Sequence, residues 1–214
     1  MKYNLAEKAE HTDKLPSSTP FDFGSHENSS TTTQQPITST AMSTTAGPSA
    51  LSGAYALCKQ GKRLCFGVNS QGSKCIESND CTILFSCQSI SKTDGTVQIE
   101  LFWSRSSSSS DNWAAVALSD DQKMGSDSVT ECILKSDGSV VLRSGWNPGE
   151  HSPTVNVNDS STTSLKTSHQ NGVVYCFWSR RGLSSIEGHE FDIKNTSYYV
   201  ILAHGAMEQG SLKL

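Results

Sequence analysis

From Val97 onward the chain alternates. In VQIELFW, Val97, Ile99, Leu101 and Trp103 fall on one phase, and Gln98, Glu100 and Phe102 on the other, which is the two-residue period of a strand with one buried face. Further apolar stretches follow: WAAVALS at 113–119, SVTECIL at 128–134, SVVLRSG at 139–145, VVYCFWSR at 173–180 and YYVILAHG at 198–205. Turn formers separate them, among them Ser136-Asp137-Gly138, Asn147-Pro148-Gly149 and Asn171-Gly172. No long helical period interrupts the series, so the pattern predicts an all-β fold, an antiparallel β-sandwich.

The N-terminal part breaks from that pattern. Residues 1–52 hold few aromatic or branched apolar side chains, and SSTTTQQPITSTAMSTTAGPSALS is dominated by serine and threonine. Such a stretch cannot bury enough surface to offset its ordering entropy. It is expected to be a disordered Ser/Thr-rich linker, open to O-glycosylation in an exported protein. Residues 53–90 form a cysteine-rich lead-in, and 91–210 are assigned to the sandwich domain.

Composition narrows the partners. The net charge of −4 over 214 residues comes with no stripe of Lys or Arg, so nucleic acid is not an expected partner. Seven cysteines stand at 58, 65, 75, 81, 87, 132 and 176, a density that points to an oxidising compartment. Zinc is the competing reading of the crowded first five, but they contain no C-x-x-C pair and no histidine at finger spacing. Sequons at Asn28, Asn158 and Asn195 fit export as glycosylation sites. The first residues, MKYNLAEKAEHTDK, lack the apolar core of a signal peptide, and no run of 18 apolar residues occurs. Export without a leader leads to the expectation that the sequence is a piece of a longer chain, lodged on the extracellular or luminal face of a membrane.

Candidate chemistry is sparse. Cys132 and Cys176 lie inside two predicted strands and are expected to pair, the alternative being two buried free thiols. An odd number then remains in the first cluster, and Cys87 is the simplest one to leave over. Met124 is a lone thioether in the polar run DDQKMGSDSV. Asp120, Asp121 and Asp127 beside it offer calcium an alternative site, although their spacing is not that of an EF-hand. His204 shares its strand phase with Tyr198, Val200 and Leu202, whereas His151, His169 and His189 fall in polar stretches. No G-x-S-x-G elbow occurs, and no ordered Ser, His and Asp set can be named.

Three segments in order, NWAAVALSDDQKMGSDSVTECIL, NGVVYCFWSRR and YYVILAHG, resemble the successive motifs of a DOMON domain of the ferric-chelate reductase 1 kind. LCKQGKRLCFGVNSQGSKCIESNDCTILFS is similar to the cysteine-rich lead-in of those proteins, so that the resemblance covers roughly residues 56–206. It implies an immunoglobulin-like β-sandwich that binds haem b between a methionine and a histidine, here Met124 and His204. Aromatic side chains such as Trp113, Tyr198 and Tyr199 would flank the haem. A thioether and a neutral imidazole are established axial ligands, and the thioether raises the reduction potential. The resemblance further implies a cytochrome b561-type membrane domain or another membrane protein as partner, with a small redox partner or an iron chelate at the far end of the electron path. A ferric-chelate reductase would need that longer chain. The other expectation is a cofactor-free DOMON module that serves binding or assembly in a membrane protein complex. Met207 is a second thioether, too close in sequence to oppose His204 across a porphyrin.

Overall fold

The computed structural model describes residues 3–4, 15–16, 20–23, 48–69, 75–105, 111–149 and 153–207. In chain order these form strands β1 (Tyr3–Asn4) and β2 (Leu15–Pro16), helix α1 (Pro48–Lys59), β3 (Leu64–Val68), the short helix α2 (Cys75–Ser78), β4 (Ile83–Ser89) and β5 (Val97–Ser104). There follow β6 (Asn112–Ser119), β7 (Asp127–Leu134), β8 (Val140–Asn147), β9 (Pro153–Asn156), β10 (Thr162–Gln170), β11 (Val173–Arg180), β12 (Leu183–Ile186), β13 (His189–Asp192) and β14 (Tyr199–Ala206).

Two antiparallel sheets face each other. One runs β10-β11-β5-β4-β3 and the other β1-β9-β8-β7-β6-β14-β2, with β12-β13 as a separate hairpin. Alternation decides what lies between them. From β5, Val97, Ile99, Leu101 and Trp103 point inward, and from β11 so do Val174, Cys176 and Trp178; they meet Ala114, Val116 and Leu118 of β6 and Val200 and Leu202 of β14 in one core. Burial of this apolar face is the main favourable term in the fold. The β10–β11 hairpin turns at Asn171 and Gly172, whose φ values of 52° and 74° are those of the two-residue turn that matches strand twist.

The core also holds a cation. Arg180, 2% exposed, donates from Nη1 to Ser128 Oγ at 2.7 Å and from Nη2 to Ser184 Oγ at 2.9 Å. Its guanidinium lies 5.6 Å from the Phe191 ring centre, a cation–π contact that offsets part of its lost hydration.

The cysteine-rich segment is built into the sandwich. Strand β4 lies between β3 and β5, and helix α1 covers the outer face of that sheet, where Ala54 and Tyr55 pack on Leu84, Phe102, Tyr175 and Phe177. The lead-in therefore supplies two strands and a helical lid to the domain expected to begin at residue 91. The expected linker overlaps α1 at 48–52, and Phe23, 4% exposed, joins the core; most of 1–52 lies outside the described residues. Cys58 pairs with Cys65, tying the end of α1 to β3, and Cys75 pairs with Cys81. A Cβ at Gly67 would stand 2.6 Å from Cys81 Sγ, so only glycine lets β3 pass under that bridge. The third disulfide joins Cys132 of β7 to Cys176 of β11, stapling one sheet to the other through the core. Cys87 is a free thiol, buried on the inner face of β4, and burial raises its pKa well above the ordinary thiol value.

Candidate functional site

The outer face of the larger sheet is where the candidate thioether lies. β6 is buried along its whole length, which requires cover on both faces. Registers Trp113↔Gly205, Ala115↔Ala203 and Ala117↔Ile201 between β6 and β14, and Trp113↔Ile133, Ala115↔Glu131 and Ala117↔Val129 between β6 and β7, put these residues on the face turned away from the core. Met124 comes from the loop after Ser119 and folds back onto this face, where it is 9% exposed and clusters with Trp113, Ala117, Ile201 and Ala203.

The loop is held by short-range bonds that its polar residues dictate. Lys123 N–H donates to Asp121 Oδ1 at 2.6 Å, and Gly125 N–H donates to Asp127 Oδ2 at 2.7 Å. Asn147 Nδ2 donates to the same Asp127 oxygen at 3.2 Å. Gly125 and Ser126 take φ values of 139° and 59°, which return the chain into β7 directly after Met124.

Asp127 is fully buried. Burial raises its pKa to about 6, against the pull of the Gly125 N–H, the Ser119 hydroxyl and the Asn147 amide, and the Asp121 charge adds to the rise. A folded-state pKa above the unfolded one means that the native state binds the extra proton between pH ~4 and ~6, so stability falls as pH rises through that window. Asp127→Asn is expected to flatten this slope in urea melts and to raise stability at pH 7.5 by about 1–3 kcal/mol. A carboxamide oxygen at the position of Asp127 Oδ2 keeps both donors that meet there, the Gly125 N–H and the Asn147 Nδ2, while the charge that burial disfavours is removed.

His204 does not share the Met124 face. The β14–β6 register is continuous from Tyr199↔Ser119 to Ala206↔Asn112, so His204 points inward with Val200 and Leu202, its ring 6.3 Å from that of Trp103. The structure therefore sets Met124 and His204 on opposite faces of one sheet. A one-residue slip of β14 would turn His204 outward, but it would also drive Val200 and Leu202, each 0% exposed, out of the core at about 3–6 kcal/mol. The expected aromatic flank divides in the same way: Trp113 lies on the outer face and Tyr198 in the core, where its hydroxyl accepts a hydrogen bond from Asp192 N–H at 3.0 Å. Met207 is the residue that joins Met124: it belongs to the same outer cluster, 6% exposed, at the other end of the strands.

A flat apolar group such as haem finds two fitting features on this face. The first is a low shelf, because Ala115, Ala117, Ala203 and Gly205 carry one heavy side-chain atom or none. The second is the Trp113 Nε1–H, a buried donor without a hydrogen-bond partner, which a bound acceptor would satisfy. Against them, the Trp113 ring already fills the space over Gly205, where a Cβ would meet it at 3.1 Å, and Met124 and Met207 are packed against the same cluster. The imidazole of His204 is the one expected feature missing from the face.

Glu131 and Arg143 form an ion pair on the same face that the sequence reading did not single out. Their positions, directly opposite in the β7–β8 register, could have been read from the strand phases once the hairpin was drawn. Burial raises the Glu131 pKa, and the Arg143 charge opposes that rise.

The remaining candidates disperse. His189 is exposed and stacks on Trp146 at 4.5 Å between ring centres, His169 sits half-buried on β10, and His151 lies outside the described residues. Asp120 and Asp121 are exposed, and among the described residues no three His, Cys, Asp or Glu side chains gather where they could hold a metal ion, which leaves the calcium alternative without a ligand set. Asn158 and Asn195 are exposed, Asn195 with its amide donating to Asp192 Oδ2 at 2.8 Å, and Asn28 lies outside the described residues. A cleft of about 220 Å³ lined by Lys62, Arg63, Cys87 and Gln88 opens on the smaller sheet; its Arg63 is paired with Glu100. Among the described residues no helix is long and apolar enough to cross a membrane.

Comparisons with known proteins bear on the same region. The family model of the DOMON domain matches residues 79–205. The "Putative ferric-chelate reductase 1 homolog" of Drosophila melanogaster is 31% identical over 154 residues, and the "Putative ferric-chelate reductase 1" of Danio rerio is 26% identical over 152. Each match takes in 71% of this chain but only 22% and 24% of those proteins. Among solved structures, the cytochrome domain of Myriococcum thermophilum cellobiose dehydrogenase superposes with a TM-score of 0.51 at 13% identity, covering 70% of this chain and 71% of that one. At that identity the likeness is one of fold.

Proposed function

Because the chain belongs to the DOMON domain family, we propose that it is an extracytoplasmic haem b-binding, electron-transfer module whose cofactor seat is the outer face of β6, β7 and β14. The observation that carries this reading is the Met124 thioether folded onto a shelf of alanine and glycine beside Trp113. When bound, haem would supply a one-electron couple, and a thioether ligand would hold its potential high. The chain's own part is to offer Met124 to the iron, to present the Trp113 N–H to an acceptor, and to keep water from the face. Fixed dipoles in a dry site cost little reorganisation when charge arrives.

The setting is proposed with it. Three disulfides mark a domain that matures in an oxidising compartment, which supports the extracellular or luminal side of a membrane and N-glycans at Asn158 and Asn195. A cytochrome b561-type membrane domain or another membrane protein would exchange electrons with it, and an iron chelate or a small redox partner would complete the path. The curated relatives, several times longer than the matched region, support that larger frame.

Titrating the 214-residue chain with haem b tests the proposal. A Soret band saturating at one equivalent is expected, with Met124→Ala weakening haem binding about tenfold or more and shifting the reduced spectrum. A colourless protein under these conditions would rule the seat out. The placement of His204 on the opposite face favours the second reading, a cofactor-free binding module; it expects a stoichiometric protein partner and no pigment.

A further inference from the structure

We propose that the buried oxygens of Asp127, Asn147 and Thr154, side by side at the ends of β7, β8 and β9, hold a hard divalent cation of the calcium class. The proposal stands apart from the haem reading and holds whether or not haem binds. It is also not the site expected from the loop acids, since Asp120 and Asp121 stay on the surface while Asp127 turns into the sheet.

The strand register builds the row. Asp127 stands opposite Asn147, and the pairs Gly145↔Asn156 and Trp146↔Val155 bring Thr154 next to Asn147 on its other side. A Cβ at Gly145 would meet the Thr154 methyl at 2.6 Å, so Thr154 points to the same face as Gly145 and Asn147. All three side chains are 0% exposed. Asp127 Oδ1, Asn147 Oδ1 and Thr154 Oγ1 are each without a hydrogen-bond partner, a state that is rare for buried polar atoms and calls for an occupant. Ser119 of β6, 1% exposed, brings its hydroxyl to Asp127 from the far side.

Charge separates a cation from a water molecule here. A water would bond to the oxygens but leave the carboxylate uncompensated. Among the described residues no Lys or Arg forms an ion pair with Asp127, and the charge that reaches it is that of Asp121, of the same sign. One carboxylate in contact, a second close by, and neutral carbonyl and hydroxyl oxygens are donors of the kind that calcium takes. Neighbouring strands about 4.8 Å apart set facing oxygens at about twice the calcium–oxygen distance of ~2.4 Å. Magnesium holds its own waters and demands a strict octahedron, so a closed row suits it poorly. The three side chains supply fewer oxygens than a full calcium shell, and binding is therefore expected to be weak, at about 10⁻⁴–10⁻³ M, the range of extracellular modules. The consequence is a clamp. Asp127 Oδ2 accepts from the Gly125 N–H, so a cation on Oδ1 ties three strand ends to the loop that carries Met124.

Urea melts of the 214-residue chain in about 0.15 M NaCl, which screens exposed charges, test the site with calcium or with a chelator. Calcium at about 10 mM is expected to raise the folding constant about tenfold or more at pH 7.5, and magnesium at the same concentration about twofold or less. The gain fades as pH drops through about 6, where Asp127 takes up a proton and no longer attracts the ion. Thr154→Val removes the hydroxyl alone and is expected to weaken calcium affinity about threefold or more. Asp127→Asn, more stable than the parent in chelator, loses the response, whereas Asp120→Asn keeps it. A parent chain with the same midpoint in calcium and in chelator overturns the site and leaves the row to water. An equal gain in Asp127→Asn, or with magnesium, overturns it as well.

Discussion

The double variant Cys132→Ala/Cys176→Ala is expected to lose about 4 kcal/mol of stability in urea melts, the chain-entropy value for a loop of 44 residues. Both cysteines are 0% exposed, so the truncated side chains also leave small cavities, and the loss should not fall below the entropic figure by much. The same burial makes a kinetic prediction: a mild reductant acting on the native protein opens Cys58–Cys65 before Cys132–Cys176, because the core bridge is reached only after global unfolding. Mass spectrometry after alkylation at increasing reductant concentration reads that order. A double variant with an unchanged midpoint would mean that the staple adds nothing that the packed sheets do not already provide.

Trp178→Ala is expected to be almost as costly, about 3–5 kcal/mol, as for other large-to-small changes at closed core positions. Trp178 is 1% exposed on the inner face of β11, opposite Ile99 of β5. Its Nε1 is buried and has no hydrogen-bond partner. Trp178→Phe should therefore cost far less, about 1 kcal/mol, since it gives up ring volume but also removes an unsatisfied donor. Paired denaturation curves at one pH separate the two effects. Equal losses for the two substitutions would show that the indole N–H is satisfied in solution by a group that the static geometry does not reveal.

Much of the fold was legible in periodicity. The alternating stretch at 97–103 and the apolar stretches at 113–119, 128–134, 139–145, 173–180 and 198–205 correspond to β5, β6, β7, β8, β11 and β14 to within two residues. Short apolar runs bounded by turn formers mark strands locally, even where, as in β6 and β7, every position is buried. Strand β10 was invisible to that reasoning because TTSLKTSHQ is polar; it forms through its hairpin with β11 and the Asn171-Gly172 turn rather than through a buried face of its own. Helix α1 was also missed. PSALSGAYALCK is short and rich in small residues, and it is held by packing on Phe102, Tyr175 and Phe177 and by the Cys58–Cys65 bridge, contacts that lie far along the chain or outside any period.

The candidate site divides in the same manner. The sequence by itself determined the strand phases, and with them that His204 goes with Val200 and Leu202, and that Cys132 and Cys176 sit where two strands can be bridged. Only the tertiary structure decided which face the Met124 loop folds onto, and that Met207 meets it there while His204 looks into the core. The reason is physical. Alternation along a strand is a local consequence of backbone pleat, but the direction in which a loop returns over a sheet is set by what it finds to bury, here the low shelf of Ala117 and Ala203 beside Trp113.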